Sequence, residues 1–399
     1  MSTCILAVAD LPDEPALVAA AGANGIGIMR RCVDAADLLA AAAADPAMPI
    51  VVTAGMPRLT VDLVQRMRAG SRTVIGLAGD DEDERRLQAW GVAGSIRHRG
   101  DAAASMRELA LALDRGPGGV WAVEPAPLPE ERGGLVIAVG GSSGAPGRTT
   151  TAIAVGESLV ARGLRTCLID ADLRAPSMTA QLGVIDDMSG IVIACRHAES
   201  GTLTERSLMQ CTRAVLPGLA VLSGLSRADR WPDVRAQALR EVLEQAASGF
   251  DAVVVDVGAL GDDRAEPGML DLHRASGVDA AVDAADRLLV VGRATMLGTV
   301  RLLGELPQLS RRPDALAITG ESAAMAEVQR VLRASGVLVP VGGIPRGAAA
   351  LERAVRAGIL PRESASRRER RQLDALIALL VEEPSSVRAT GARRRGRRR

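Results

Sequence analysis

The chain has 399 residues, enough for two or three domains, and its 48 basic and 48 acidic residues leave no net charge. A balanced charge excludes the basic signature of nucleic-acid binding, so we predict no specific nucleic-acid partner. Five cysteines without C-x-x-C spacing, no signal-like N-terminus and no uninterrupted apolar segment long enough to span a membrane predict a cytoplasmic protein with reduced thiols.

The first 114 residues alternate short apolar runs with helical patterns, which is typical of a doubly wound, mostly parallel sheet in an α/β domain. Strands are predicted at 4–9, 26–31, 49–53, 72–77 and 94–96. Helices are predicted at 13–22, 34–45, 60–68, 82–90 and 102–113. The number and size of these elements resemble the receiver domain of response regulators.

The phosphorylation chemistry of a receiver domain is missing from this segment. A receiver needs an aspartate at the end of its third strand, where this chain has Val51-Val52-Thr53-Ala54-Gly55, without a carboxylate. Ala78 stands near the place of the receiver's threonine or serine, and His98 or Arg99 near that of its lysine. Asp10 is an acidic candidate, but a single acid does not make a metal site. We therefore expect a phosphorylation-incompetent, receiver-like domain at 1–114 that serves protein contacts.

A segment rich in proline and glycine, residues 115–134, cannot continue a helix or a central strand and is predicted to be an interdomain linker. Beyond it, strands are predicted at 135–140, 165–169, 219–222, 252–256, 287–291, 315–319 and 338–339. Helices are predicted at 148–161, 234–248, 295–306, 323–334 and 348–357. These elements predict a second, larger, mostly parallel sheet in an α/β domain at 135–383, followed by a disordered arginine-rich tail at 384–399.

The apolar run Leu135–Val139 is predicted to form a buried strand that leads through a glycine-rich turn into a helix. Such a turn can hold phosphate on backbone N–H groups at the helix N-terminus. The turn fits the pattern G-x-x-x-x-G-[KR]-[ST] imperfectly, because the first glycine of that pattern falls on Ser142. The candidate nucleotide-binding residues are Gly144, Gly147, Arg148, Thr149 and Thr150.

Three aspartates that follow apolar runs are candidates for magnesium binding and catalysis. Asp170 and Asp172 lie two residues apart after the predicted strand 165–169, where they can serve a metal ion and an attacking water. Asp256 ends the apolar run that starts at Phe250, which suits an acid that orders the metal shell. Each motif alone is common, but their order along the chain makes the set moderately specific.

Four segments together resemble the MinD/ParA group of deviant-Walker ATPases. They are the glycine-rich loop, Leu-Ile-Asp-Ala-Asp-Leu-Arg-x-Pro, Phe-Asp-x-Val-Val-Val-Asp and the late Gly343-Ile344-Pro345. The resemblance covers residues 133–380, and with a receiver-like domain ahead the chain looks most like the CpaE-like, septum-site-determining branch. The resemblance implies ATP and Mg²⁺ as cofactors, a homodimer, and a role in positioning cell-division or pilus and secretion proteins.

The resemblance also implies a role for each motif residue. Arg148 would hold the phosphates, and Asp172 would hold the attacking water. The Mg²⁺ ligands would come from Thr149, Asp170 and Asp256. The MinD proteins anchor to membranes through a C-terminal amphipathic helix, and here residues 366–382 are predicted to form one.

Several positions depart from the family pattern. The signature lysine that reaches the partner's nucleotide falls on Ser143, and the adenine-reading asparagine falls near Thr319-Gly320. Arg148 replaces the P-loop lysine, a change of shape as well as of chemistry, in a chain whose basic residues are all arginine. These departures leave two alternatives open: a weak ATPase with a degenerate loop, and a non-hydrolysing CpaE-like scaffold that localises a Tad-type pilus or secretion apparatus.

A third interpretation concerns phosphotransfer. The segment around Asp170 and Asp172 also resembles bacterial tyrosine kinases that share this P-loop ancestry. Those enzymes phosphorylate their own tyrosine cluster, and this chain contains no tyrosine, so autophosphorylation on tyrosine is excluded.

The predicted C-terminal helix has one apolar stripe, formed by Leu373, Leu376, Ile377 and Leu380. The resemblance implies a peripheral membrane contact, at the septum or pole, through this helix and the tail, in which Arg388 to Arg399 includes seven arginines. The alternative is a final helix that docks on the domain, followed by a solvated tail.

Overall fold

The computed structural model describes residues 2–9, 11, 13–57, 59–60, 63–64, 67–68, 72–92, 94–115, 133–145, 147–184, 188–261, 274–344 and 359–381. In these residues the strands are β1 (Ser2–Ala7), β2 (Ile26–Arg31), β3 (Ile50–Val52), β4 (Val74–Ala78), β5 (Ser95–Arg97), β6 (Leu135–Gly141), β7 (Thr166–Asp170), β8 (Thr212–Leu216), β9 (Leu219–Leu222), β10 (Ala252–Ala259), β11 (Arg287–Arg293), β12 (Ala315–Thr319) and β13 (Val341–Ile344). The α-helices are α1 (Glu14–Ala23), α2 (Ala35–Ala44), α3 (Asp81–Ala89), α4 (Ala102–Arg115), α5 (Arg148–Val160), α6 (Met178–Leu182), α7 (Gly190–Glu199), α8 (Glu205–Cys211), α9 (Ala236–Gly249), α10 (Arg274–Ala284), α11 (Met296–Glu305), α12 (Ser322–Ala334) and α13 (Arg367–Val381).

The first five strands form a parallel sheet in the order β2-β1-β3-β4-β5, which is the order of flavodoxin-like doubly wound folds. A parallel sheet needs apolar layers on both faces, because its crossover helices cover both. Ile50 and Leu87 are buried in one layer, and Leu77 and Leu109 in the other. The predicted doubly wound parallel sheet is confirmed for this part of the chain.

Two residues at the positions where a receiver domain has its phosphorylation residues, Thr53 and His98, are hydrogen-bonded within the first unit. Thr53, just after β3, is buried, and its hydroxyl lies 3.0 Å from the Ala9 nitrogen and 2.9 Å from the Ala9 carbonyl oxygen. His98, just after β5, is buried with Nδ1 3.0 Å from Ser105 Oγ. Asp10 lies outside the described residues. A receiver-like contact role for this unit therefore stays a prediction.

The remaining strands form a second sheet in the order β13-β12-β11-β6-β10-β7-β9-β8, parallel except for the edge strand β8, which runs antiparallel to β9. On one face, α5 and α13 bury Ile153 and Ile377 against alternate residues of β6. On the other face, α7, α9 and α12 bury Ile191, Leu239 and Leu332. The strand β6 thus lies in the middle of the sheet, between β10 and β11, where its carboxyl end is flanked by other strand ends.

The sequence prediction is wrong for the last strand of this sheet. A strand is predicted at 338–339, but β13 begins at Val341, directly after Pro340. The Pro340 carbonyl accepts the N–H of Leu316 at 2.8 Å, so the pairing with β12 starts at the proline and continues beyond it. Pairing with the neighbouring strand, rather than the apolar residues before the proline, decides where this strand begins.

Five further elements of the described residues are absent from the sequence prediction: the strand β8 and the helices α6, α7, α8 and α10. The edge strand β8 is only half-buried and contains Arg213, so it lacks the buried apolar run that identifies a central strand. The helix α7 opens with Gly-Ile-Val-Ile, in which glycine disfavours helices and the three β-branched residues favour strands. The predicted helix at 348–357, residues 61–62 and 65–66 of the predicted helix at 60–68, and the tail at 384–399 lie outside the described residues.

The two sheets belong to units that touch each other through α3 and α7. The Trp90 indole N–H, at the end of α3, donates to the Glu199 carbonyl oxygen at 3.1 Å. A Cβ placed on Gly201, which has φ +64°, would lie 2.8 Å from the Arg85 carbonyl oxygen. Residues 116–132 lie outside the described residues, so the linker and the domain boundaries stay predictions.

The C-terminal helix α13 packs against the second sheet and α5. Its stripe of Leu373, Leu376, Ile377 and Leu380 is buried, with no residue more than 5% exposed. In this structure the docked-helix alternative therefore holds, since the stripe covers the sheet. No helix in the described part of the chain is long and apolar enough to cross a membrane.

Candidate functional site

The glycine-rich loop leaves β6 at the carboxyl edge of the second sheet and returns as the first turn of α5. Gly144 and Gly147 have φ values of +73° and +97°, which residues with a side chain adopt only with strain. Gly147 is the N-cap of α5, so the N–H groups of Arg148, Thr149 and Thr150 open the helix. These free first-turn N–H groups and the helix dipole favour an anion at this point.

The Arg148 side chain lies along its own loop. Its Nη1 donates to the carbonyl oxygens of Ser142 at 3.2 Å and of Ala145 at 2.8 Å. Its Nε is buried without a hydrogen-bond partner, and so is Ser142 Oγ. Arg148 therefore supports the loop, while two of the polar atoms at the loop remain unsatisfied.

Asp170, the last residue of β7, and Asp256, three residues before the end of β10, lie side by side because they are register partners. Oδ2 of Asp170 accepts the N–H groups of Ser177 at 3.0 Å and Met178 at 2.9 Å, which fixes the start of α6 beneath the loop. Oδ1 of Asp256 accepts the Gly258 N–H at 3.1 Å. Oδ2 of Asp256 is buried and has no hydrogen-bond partner.

The charges of these two carboxylates are unfavourable without a cation. Burial raises the pKa of Asp170 to about 8, and the negative charge of Asp256 adds to the rise. Burial also raises the pKa of Asp256 to about 6, and the nearby Thr149 hydroxyl opposes part of this rise. A divalent cation at this place would favour the ionised carboxylates over the protonated ones.

The residues at this place fit Mg²⁺. The orphaned Asp256 Oδ2 is a buried carboxylate oxygen, the ligand type that Mg²⁺ prefers, and Thr149 Oγ1 lies at the start of α5 with Ser177 Oγ at 3.2 Å. No three His, Cys, Asp or Glu side chains of the described residues cluster closely enough to hold a metal by themselves. Mg²⁺ does not need such a cage, because it keeps waters and substrate phosphate oxygens among its ligands.

Asp172 faces the same space as the loop. Its Oδ1 accepts the N–H groups of Arg174 at 3.0 Å and Ala175 at 2.9 Å, so the carboxylate has a fixed direction. A cavity of about 250 Å³ is lined by Gly144, Arg148, Asp172, Leu173, Arg174, Ala175, Val257, Ala259, Ala275 and Val278. The loop and the predicted water-holding carboxylate thus border one cavity, which the sequence order alone does not establish.

Two other sequence-predicted residues have structural partners. The Thr150 hydroxyl donates to Gln181 Oε1 at 2.9 Å, so its side chain ties α5 to α6 and only its backbone N–H faces the helix start. Thr319, near the predicted adenine-reading position, lies close to the loop, since its Cγ2 would be 3.7 Å from a Cβ on Gly147. The structure therefore brings all the predicted site residues to one edge of the sheet, and their individual roles stay predictions.

Two glycines that the sequence analysis does not single out make room for the acids. A Cβ on Gly224 would lie 2.8 Å from Asp170 Cγ, and a Cβ on Gly258 would lie 2.5 Å from Asp172 Cγ. Gly258 follows Asp256 by two residues, and a glycine so close to the end of a buried strand is the sequence signal that could have identified it. Gly224 follows β9, far from the aspartate in sequence, and carries no comparable signal.

Two charged residues of α11 also contact the loop. Both carboxylate oxygens of Glu305 lie 3.2 Å from the Ser143 nitrogen and accept its N–H, and Arg301 Nη1 donates to the Ser143 carbonyl at 3.2 Å. Arg301 and Glu305 are four residues apart, so they share one face of the helix. About 160 residues separate them from the loop, and no local pattern announces this contact.

Comparison with solved structures finds proteins whose folds align with about three fifths of the chain. The ParA family ATPase from Chlorobium tepidum TLS aligns with a TM-score of 0.49 and 16% identity, over 61% of this chain and 98% of that one. The cell division ATPase MinD from Pyrococcus furiosus aligns with a TM-score of 0.45 and 17% identity, over 62% of this chain and 97% of that one.

One curated protein is similar in sequence. The maintenance of carboxysome distribution protein A of Synechococcus elongatus is 27% identical over 188 residues, which are 47% of this chain and 69% of that protein. No family model matches the chain. The three motifs lie around one cavity, in the arrangement that the resemblance to the MinD/ParA group implies.

Proposed function

We propose that this protein is a MinD/ParA-like, nucleotide-dependent spatial regulator that places the septum site in cell division. The observation that carries the nucleotide part is the cavity that Asp172 shares with Gly144 and Arg148, beside the unsatisfied buried oxygen of Asp256. Phosphate would bind the N–H groups at the start of α5, and Mg²⁺ would bind near Thr149 and Asp256. Bound Mg²⁺ supplies neutralising charge to the phosphates.

The chain's own residues have distinct parts in this proposal. Arg148 supports the loop through its two carbonyl contacts and presents its positive charge to the cavity. Asp172, held by the N–H groups of Arg174 and Ala175, orients the attacking water. Asp170 fixes the start of α6 beneath the loop, so that Ser177 meets Thr149. ATP hydrolysis would then reset a switch whose ATP-bound form is a homodimer.

A non-hydrolysing scaffold for a Tad-type pilus or secretion apparatus is the second candidate. Pro146 has no N–H to give to a phosphate, and Ser143 supplies no cation. The Glu305 carboxylate also places a negative charge on the Ser143 N–H, which an anion would otherwise approach. These features weaken the loop as a catalytic cradle, while its geometry is retained.

Calorimetric titration with MgATP separates the two candidates at the level of binding. We expect micromolar binding by the wild type, at least tenfold weaker binding by Arg148→Ala, and no Mg²⁺-dependent gain in affinity by Asp256→Asn. Asp251→Asn is the matched control, because Asp251 lies just before the start of β10, away from the loop, where it contacts Arg165. Absence of binding by the wild type would overturn the switch and leave the scaffold.

ATP hydrolysis and dimer formation are tested by phosphate release and light scattering. We expect Asp172→Ala to bind MgATP but to release phosphate at least tenfold more slowly, and to accumulate as a dimer of the 41.4-kDa chain in light scattering. An equal rate for wild type and Asp172→Ala would show that Asp172 does not hold the water.

The cargo is tested in cells. The sequence relative is named for carboxysome distribution, and the resemblance that the motifs carry points to septum or pilus machinery, so cargo is the least constrained part of the proposal. We expect a fluorescent fusion of the wild type to concentrate at division sites and Asp256→Asn to spread evenly. Wild-type foci that follow pilus proteins at the pole would favour the scaffold's cargo instead.

A further inference from the structure

We propose that Arg301 supplies, from within the same chain, the positive charge at the nucleotide's terminal phosphate for which the loop has no lysine. The inference rests on the proposed nucleotide binding and deepens it by assigning a residue outside the sequence motifs. It concerns the phosphate end of the site, where Ser143 contributes a neutral hydroxyl.

The position of Arg301 is set by the sheet. α11 follows β11, which pairs with β6, so the helix passes beside the loop that leaves β6. Arg301 Nη1 donates to the Ser143 carbonyl at 3.2 Å and would lie 2.5 Å from a Cβ on Gly144. The guanidinium therefore contacts the loop at Gly144, where a residue with a side chain would exclude it.

The charge of Arg301 is available there. The Ser143 carbonyl takes one of five guanidinium N–H groups, and no carboxylate of the described residues forms an ion pair with Arg301. Arg148, by contrast, directs its Nη1 to two loop carbonyls. Arg301 is exposed at the mouth of the loop, where a bound phosphate could accept the remaining N–H groups with bidentate geometry.

The contact between Arg301 and Gly144 lies at the end of the site where the terminal phosphate would bind. Gly144 and Asp172 line the same cavity, and Asp172 is the residue proposed to hold the water that attacks that phosphate. A guanidinium against Gly144 is therefore at the end of the site that a triphosphate fills and a diphosphate leaves empty. The charge should raise the affinity for ATP relative to ADP.

A simple clamp on the loop is the competing role, because Arg301 and Glu305 hold the two peptide groups of Ser143 together. Arg301→Gln distinguishes the two roles, since glutamine keeps an N–H donor but carries no charge. Arg330→Gln, an exposed arginine on α12, removes one positive charge elsewhere and serves as the matched control. Thermal unfolding of each variant confirms that it is folded.

The experiment is calorimetric titration of the full chain with MgATP and, separately, with MgADP. We expect Arg301→Gln to weaken MgATP binding about tenfold, which is the size of one lost charge-assisted contact. The affinity for MgADP should stay within about twofold of the wild-type value. Arg330→Gln should match the wild type for both nucleotides. An unchanged ATP-to-ADP affinity ratio in Arg301→Gln, with or without an equal loss of both affinities, overturns the inference while the proposed function stands. If the wild type binds neither nucleotide, the proposed function fails and this inference fails with it.

Discussion

Gly258 lies directly against the carboxyl group of Asp172, on a backbone with φ +69°. A Cβ on Gly258 would stand 2.5 Å from Asp172 Cγ and 2.6 Å from its Oδ2, far inside any contact distance. Gly258 also donates its N–H to Asp256, the acid proposed to bind the metal. Gly258 therefore contacts both this acid and Asp172, the acid proposed to hold the attacking water. The spacing of the two acids thus depends on the absence of a single side chain.

We predict that Gly258→Ala displaces Asp172 and slows ATP hydrolysis at least tenfold. The matched control is Gly163→Ala, where φ is +87° but nothing lies within 4 Å of the new Cβ. Both variants should lose roughly 1 kcal/mol or more of unfolding free energy from the strained backbone. Phosphate release and urea unfolding measure the two effects, and only Gly258→Ala should change the rate. If Gly258→Ala and Gly163→Ala hydrolyse ATP at the same rate, the position of Asp172 does not limit that rate.

A second prediction concerns the buried acid of the metal site. Without metal, Asp256→Asn should raise the melting temperature, because burial penalises the charged carboxylate and Oδ2 has no hydrogen bond to lose. Asp251→Asn should lower it, since contacts with Arg165 favour the ionised form and hold the pKa of Asp251 below its usual value. Thermal unfolding in EDTA measures both variants.

Mg²⁺ with nucleotide supplies the complementary measurement. Added MgATP should stabilise the wild type and Asp251→Asn, because a ligand that binds only the folded state raises its stability. Asp256→Asn should gain little. A melting temperature that falls in Asp256→Asn without metal would contradict the assignment of its unsatisfied oxygen.

The sequence predicts the parts of this fold that local patterns encode. The strand Leu135–Gly141, the loop and α5 follow from an apolar run, glycines and a helix start in direct succession. The end of β7 follows in the same way, because its apolar run stops at Asp170. The predicted strand 252–256 also stops at an aspartate, but β10 continues past Asp256 to Ala259. Parallel strands of one sheet bring such ends to one edge, so the clustering of the three aspartates could be expected.

The remainder depends on contacts between distant residues. Arg301 and Glu305 reach Ser143 only because β11 pairs with β6, and strand order is not written in any one segment. The helix α7 forms despite its Gly-Ile-Val-Ile start, because its apolar face is buried against the sheet. Packing outweighs local propensity at that point.

A third prediction concerns the contact between the two units. Gly201→Ala places a Cβ 2.8 Å from the Arg85 carbonyl and should loosen the packing of α7 on α3. Gly218→Ala shares a positive φ, at +87°, but its nearest neighbour, Val160, stays at 3.4 Å, an ordinary contact. We expect faster amide hydrogen exchange around residues 197–204 in Gly201→Ala alone.

Trp90→Phe should act in the same direction. It keeps an aromatic ring in the first unit's core but removes the N–H that donates to the Glu199 carbonyl. Unchanged exchange at the end of α7 in both variants would mean that the units do not hold each other in solution.

The last prediction tests whether α13 is docked in solution. Ile377 is fully buried, and Leu379 on the same helix is 44% exposed. Ile377→Ala should cost about 2–4 kcal/mol of unfolding free energy, because it leaves a cavity between α13 and the sheet, whereas Leu379→Ala should stay within about 0.5 kcal/mol. Urea unfolding gives both values. If the two substitutions cost the same small amount, the apolar stripe is free of the sheet and open to other contacts; vesicles containing anionic lipid should then bind the wild type and lose affinity for Ile377→Ala.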